Sequence, residues 1–223
     1  MVACRRSSHR HRTGVSVATR MISPRLGPMA RRSRLDRRDC RKNTSGTRLR
    51  FFIISDALTF AGFLIAYGFM RSISPAWPKQ TEVFNMVLIT FMTFMLISSS
   101  ATMAMAVGAA RARNPKLAVR FLALTIVGGF IFLGCQAFEW THLIEEGARL
   151  TTNPWGVPQF AASFFVITGF HGFHVFSGVT ILVVVAIRAL MGKYSGDQVE
   201  NAGLYWHFVD VVWVFVFAFF YLL

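Results

Sequence analysis

Five runs of apolar residues, 51–70, 84–110, 118–142, 160–190 and 204–223, dominate this chain. Each is near or above the roughly 20 residues that a helix needs to cross a bilayer. Inside hydrocarbon every backbone N–H and C=O must be satisfied by the protein itself, so a spanning segment is either a helix or a strand of a closed barrel. Barrel strands would run about ten residues with strict alternation, which these runs lack. The expected fold is all-α: a polytopic membrane protein built as a bundle of five transmembrane helices. Composition agrees, with 54% hydrophobic residues and only 15% charged, against about a quarter charged in an ordinary soluble domain.

The breaks between the runs hold residues that stop helices. Pro75 and Pro78 fall in the first, Asn114 and Pro115 in the second, Asn153, Pro154, Gly156 and Pro158 in the third, and Gly192, Ser195 and Gly196 in the fourth. Charge in these breaks is lopsided. Arg111, Arg113, Lys116 and Arg120 follow the second run and Arg188 and Lys193 the fourth, while the other side carries only Arg71, Lys79 and Arg149. Basic loops stay in the cytoplasm, which predicts a cytoplasmic N-terminus and, after five spans, a C-terminus outside.

Residues 1–47 form a basic segment ahead of a membrane domain at 48–223. The first 50 residues contain 14 Arg and Lys42 against Asp36 and Asp39, so nearly all of the net +14 resides there. They show no apolar period and predict a disordered tail. A later start at Met21 or Met29, or an Arg- and Ser-rich organelle transit peptide, are the alternatives. The balance of charge in the membrane domain gives no ground for a nucleic-acid partner. Cys4, Cys40 and Cys135 show neither disulfide nor metal spacing, and Cys135 is expected to pack as a small buried apolar residue.

Ionisable side chains at membrane depth are expensive, face protein or water rather than lipid, and ask for a reason. Span one carries Asp56; span three Gln136, Glu139 and His142; span four His171 and His174; span five His207 and Asp210. Glu139 and His142 form one copy of the i, i+3 pair used in di-iron bundles, which need two copies and further glutamates. Bis-histidine haem needs two ligands at equal depth; His174 is placed about a turn and a half from the outer end of span four and His207 near the inner end of span five. A proton relay is a third reading. The fourth is structural: buried acids and histidines tie helices together by hydrogen bonds of about 1 kcal/mol each, with Gly169, Gly172 and Gly178 allowing close approach. No GxSxG, phosphate loop, CxxCH or paired thiolate is present.

Six strings then recur in order: FIISDALTFAGFLIAYG from Phe52, AWP at 76–78, QAFEW from Gln136, THLIEEG from Thr141, FFVITGFHGFHVFSG from Phe164 and YWHFVDVVWVFVF from Tyr205. Together they resemble subunit III of the haem-copper (cytochrome c) oxidases, in its five-span bacterial form. The resemblance implies a subunit of a respiratory terminal oxidase that reduces dioxygen to water and pumps protons. It implies no metal and no catalytic residue in this chain, with haem and copper in partner subunits I and II. It also implies packing on subunit I, bound phospholipid, support of proton uptake, and a bacterial inner-membrane location, with the mitochondrial inner membrane as alternative. Asp56 matches the family's membrane carboxylate, commonly a glutamate, near the proton-entry side. Arg188 matches a basic residue where lipid headgroups bind, and Glu200 an acidic residue ahead of the last string. Gln136, Glu139, His142, His171, His174, Glu200, His207 and Asp210 are expected to form a structural polar network. The first two spans of the seven-span family form are missing. A quinol oxidase or a nitric-oxide-reductase relative is the near alternative. An autonomous proton or ion transporter is the distant one, although inverted repeats and broken helices are not evident.

Overall fold

The computed structural model describes residues 28–222 apart from Pro75, Asn153, Tyr194 and Ser195, with side chains described from Gly46 onward. The described residues are helical, without strands: α1 Pro28–Ile73, α2 Gln80–Val83, α3 Met86–Arg111, α4 Pro115–Glu145, α5 Pro158–Leu190 and α6 Gly196–Val216, continued by a π-helical turn Phe217–Leu222. Five segments are long and apolar enough to span a membrane: Gly46–Ile73, Met86–Arg111, Pro115–Glu145, Pro158–Leu190 and Gly196–Leu222. Most reach beyond their apolar runs, because a helix continues through polar residues once its hydrogen-bond ladder is set, whereas α3 starts two residues inside its run, after the Asn85 cap. The largest difference is in α6, whose first two turns read GDQVENAG.

The chain divides into two compact units, 1–50 and 51–223. In the first, residues 28–50 are helical, including part of the basic segment expected to lack structure; residues 1–27 of that segment lie outside the described residues. All packing discussed below is within the second unit.

Local chemistry sets the turns. Asn85 caps α3 by accepting from Leu88 N at 3.3 Å, and Asn114 caps α4 by accepting from Leu117 N at 3.2 Å, just ahead of Pro115 at the first helical position. Between α3 and α4 the chain reverses through Arg113 at φ 55°, and Gly147 and Gly192 take positive φ after α4 and α5.

Helices α3, α4, α5 and α6 close a ring in which each packs on two neighbours, α3 on α4 and α6, and α5 on α4 and α6. Lipid is as apolar as leucine, so such contacts depend on close fit and hydrogen bonds rather than on the hydrophobic effect. Gly129 provides the fit at the centre. A Cβ there would lie 2.6 Å from Val179 and 2.7 Å from the Trp206 ring. Helix α1 stands at the edge of the ring. Only 11% of its span is buried against 50% for α6, and its contacts are made by side chains: Phe60 on Phe170 at 5.0 Å and Tyr67 on Phe220 at 4.5 Å.

Candidate functional site

The polar residues of the spans separate into distinct clusters. The first joins α1 to α5. His174 is the central residue of α5, not a turn and a half from its end, and its Nε2 lies 3.2 Å from Asp56 Oδ1, with both side chains buried. The other ring nitrogen, Nδ1, lies 2.7 Å from the Phe170 carbonyl oxygen. A carbonyl only accepts, so Nδ1 carries a proton and donates it. Nearby, Tyr205 of α6 and Ser177 share a hydroxyl hydrogen bond of 2.7 Å. The Asp56 pair thus meets α5 at mid-helix.

The second cluster joins α4 to α5. Gln136 donates through Nε2 to the Thr168 carbonyl at 2.6 Å, and Trp140 donates to the Thr168 hydroxyl at 3.1 Å. The glycines make this possible: a Cβ on Gly172 would lie 3.1 Å from Gln136 Oε1, and one on Gly169 2.9 Å from the Trp140 ring. Beside it His171 is fully buried and neither ring nitrogen has a protein partner. Its ring lies on Trp213 at 4.9 Å, with Phe132 edge-on at 5.7 Å. Glu139, one turn beyond Gln136, accepts from Tyr221 of the π-helical turn at 3.2 Å through Oε2.

The third cluster joins α3 to α6 and α4. His207 Nδ1 lies 2.6 Å from Ser100 Oγ, and the same serine also faces the carboxylate of Asp210, one turn further along α6. Trp206 donates to Ser99 at 3.1 Å and Trp213 to Thr93 at 3.0 Å, while Thr102 and Thr125 share a 2.8 Å hydroxyl bond between α3 and α4.

Two of the residues expected in the structural polar network sit at helix ends. His142 is more than half exposed at the end of α4, 3.5 Å from Glu146. Glu200 is exposed and ion-paired with Arg111 where α3 ends and α6 begins; it lies in the first turns of α6, beyond the apolar stretch. Cys135 is half-buried rather than buried. Arg188 is exposed in the last turn of α5. Sequence reasoning missed the hydroxyl partners Thr93, Ser99, Ser100, Thr125, Thr168, Ser177, Tyr205 and Tyr221. The available signal was the SSSAT stretch at 98–102 in an otherwise apolar run.

Among the described residues the donors do not gather as a haem or metal ligand set. His174 has both nitrogens engaged, His171 is walled by aromatic rings, and among the described residues no three His, Cys, Asp or Glu side chains gather as a ligand group. What the arrangement does provide is a set of ties between spans at several depths, one of which holds an ionisable pair.

Comparison with known proteins places these features in a wider set. The family described as cytochrome c oxidase subunit III matches residues 36–223. A cytochrome c oxidase subunit 3 of Synechocystis is 40% identical over 177 residues, covering 77% of this chain and 72% of the relative. One from Corynebacterium diphtheriae is 36% identical over 172 residues, covering 74% and 82%. A probable quinol oxidase subunit 3 of Staphylococcus saprophyticus is 35% identical over 147 residues, covering 64% and 70%.

Proposed function

The chain belongs to the cytochrome c oxidase subunit III family, and we propose that it is a scaffold subunit without redox chemistry of its own in a bacterial respiratory oxidase. In this reading it packs on subunit I, which with subunit II carries haem and copper, holds phospholipid, and sustains proton uptake while the complex reduces dioxygen and pumps protons. The membrane is the bacterial cell membrane, with the tail in the cytoplasm. The observation that carries the reading is the Asp56–His174 pair at 3.2 Å. Among the described residues it is where a buried carboxylate on the edge helix α1, through Oδ1, is tied directly to the ring. Arg188, exposed at the end of α5, is suited to a phosphate headgroup, since a guanidinium pairs bidentately with phosphate.

A tag on this chain tests the reading. The native complex should co-purify with haem and copper in its other subunits. After the chain is stripped off, the oxidase should begin at its normal rate of oxygen consumption and then lose activity over successive turnovers faster than the intact complex. A chain that purifies alone, or a stripped complex inactive from the first turnover, would overturn it. The likeness to a quinol oxidase subunit 3 supports a second reading that differs only in the electron donor. Reduction of the purified complex by cytochrome c or by a quinol separates the two.

A further inference from the structure

His207 reaches the outer surface of the bundle at membrane depth. It is partly buried, between the exposed Leu204 and Val211 of α6, and Ser100 of α3 holds its Nδ1 at 2.6 Å. Among the described residues its Nε2 has no partner, and unlike both ring nitrogens of His171 it is not closed off from the surface. The ring lies about two turns, roughly 10 Å of helix rise, further along α6 than Glu200, whose ion pair with Arg111 marks the end of α3. A hydrogen-bonding nitrogen is thus presented to the outside at a depth where acyl chains offer it nothing and where ionisable side chains almost always face protein or water. The α3 surface beside it is bare. Met103 and Val107 meet Gly203 of α6. Ala104 and Gly108, each one residue further round α3, are exposed, as is Ala101. A Cβ added at Gly108 would meet nothing within 4 Å. Ala104 and Gly108 are two small residues at i and i+4, the spacing at which one membrane helix lets another approach closely. Gly134 on α4 is equally open, but it stands between the exposed Phe130 and Phe138, which keep a second helix at a distance.

We propose that the seam between α3 and α6 seats a membrane-spanning helix of another subunit, which packs on Ala101, Ala104 and Gly108 and shares a hydrogen bond with His207 Nε2. A lipid does not match this surface. Its headgroup would lie at the level of the Arg111–Glu200 pair, and its chains carry no polar atom to the depth of the imidazole. The occupant is recognised by its chemistry: a helix with small residues on one face and a Ser, Thr, Asn or Gln side chain opposite Nε2. The inference rests on the reading of this chain as an oxidase subunit and adds which face does the joining. It is separate from the Asp56–His174 contact, which joins α1 to α5 inside the chain.

Cross-linking and retention in the intact, tagged complex test the seam. With Ala104 replaced by the photoreactive p-benzoylphenylalanine, illumination of native membranes should join this chain to another subunit, within one of that subunit's membrane-spanning segments. His207→Leu should lower the yield of that adduct several-fold. Gly108→Leu adds a side chain that meets nothing inside this chain, so its own fold should be kept. It should nevertheless leave the complex several-fold more readily across a detergent series than Gly134→Leu. A complex that co-purifies with haem and copper yet gives only lipid adducts at position 104, or an adduct with a second copy of this chain, would overturn the seam and leave the oxidase reading standing. So would an adduct whose yield ignores His207→Leu, or Gly108→Leu held as firmly as Gly134→Leu. A chain that co-purifies with neither haem nor copper would sink the oxidase reading, and this inference with it.

Discussion

His174 donates through Nδ1 to the Phe170 carbonyl at 2.7 Å while its Nε2 faces Asp56 Oδ1 at 3.2 Å. With Nδ1 already protonated, one further proton must lie between Nε2 and Oδ1, because two bare lone pairs would repel at that distance. Imidazolium with carboxylate, or imidazole with carboxylic acid, both satisfy this, and both leave the pair with zero net charge. A neutral pair is tolerated at membrane depth where a lone ion would not be.

The first prediction follows from that neutrality. Asp56→Leu leaves a neutral imidazole with one bare nitrogen, a loss of about 1–3 kcal/mol, rather than the roughly 3–5 kcal/mol of a stranded buried charge. Asp56→Leu with His174→Leu should recover part of the loss. Asp56→Asn can still donate to Nε2 and should hold the subunit in place with only a modest loss of sustained oxygen consumption, far short of the hundredfold or more (about) expected on removing a catalytic acid or base. Retention of the chain on the complex across a detergent series, for each variant and the double, checks this. An additive double variant would show that the two side chains are not coupled.

The five spans were legible because membrane depth demands about 20 apolar residues in a row, a signal carried by each segment alone. Pairings were not, since they depend on helix rotation and depth, which no segment specifies by itself. Asp56 and His174 were both marked as candidates, yet nothing local says that they meet. His207 and Asp210 were both marked on the last span, but nothing local says that Ser100 on α3 faces both of them. Glu200 and His142 drew attention as ionisable residues near apolar strings, and both proved to be at helix ends with exposed partners. Tyr221 could not have been matched to Glu139, because it lies in a π-helical turn whose register departs from the 3.6-residue period.

Close packing at Gly129 gives the second prediction. Gly129→Ala forces a methyl group to within 2.7 Å of the Trp206 ring and 2.6 Å of Val179, and overpacking of this kind costs about 1–3 kcal/mol. Gly134→Ala, on the same helix, has nothing within 4 Å of its new Cβ and should leave stability unchanged. Thermal unfolding followed by size-exclusion chromatography should lower the transition for the first and not for the second. Equal behaviour would mean that the α4–α6 contact is looser than its geometry.

The third prediction concerns Glu200. Its ion pair with Arg111 is exposed at both ends, 68% and 51%, and exposed pairs contribute about 0–1 kcal/mol. Glu200→Gln should therefore change the unfolding transition little, and less still at high salt. A loss comparable to that of Asp56→Leu would show that the Glu200–Arg111 pair ties α3 to α6 as strongly as a buried contact.

Orientation supplies the last prediction. The basic residues Arg111, Arg113, Lys116 and Arg120 cluster at the α3–α4 connection, and Arg188 and Lys193 at the α5–α6 connection. Short loops rich in Arg and Lys remain cytoplasmic, so the α4–α5 connection is expected outside. Single cysteines in a chain with Cys4, Cys40 and Cys135 replaced by Ser report this. Ala148 is a poor position in the α4–α5 connection, since it is 1% exposed. Thr151, in the same connection, and Ala112, in the α3–α4 connection, are both exposed. In intact cells an impermeant thiol reagent should label Thr151→Cys and leave Ala112→Cys untouched until the membrane is opened. The reverse pattern would invert the bundle and move the whole α4–α5 face to the cytoplasmic side.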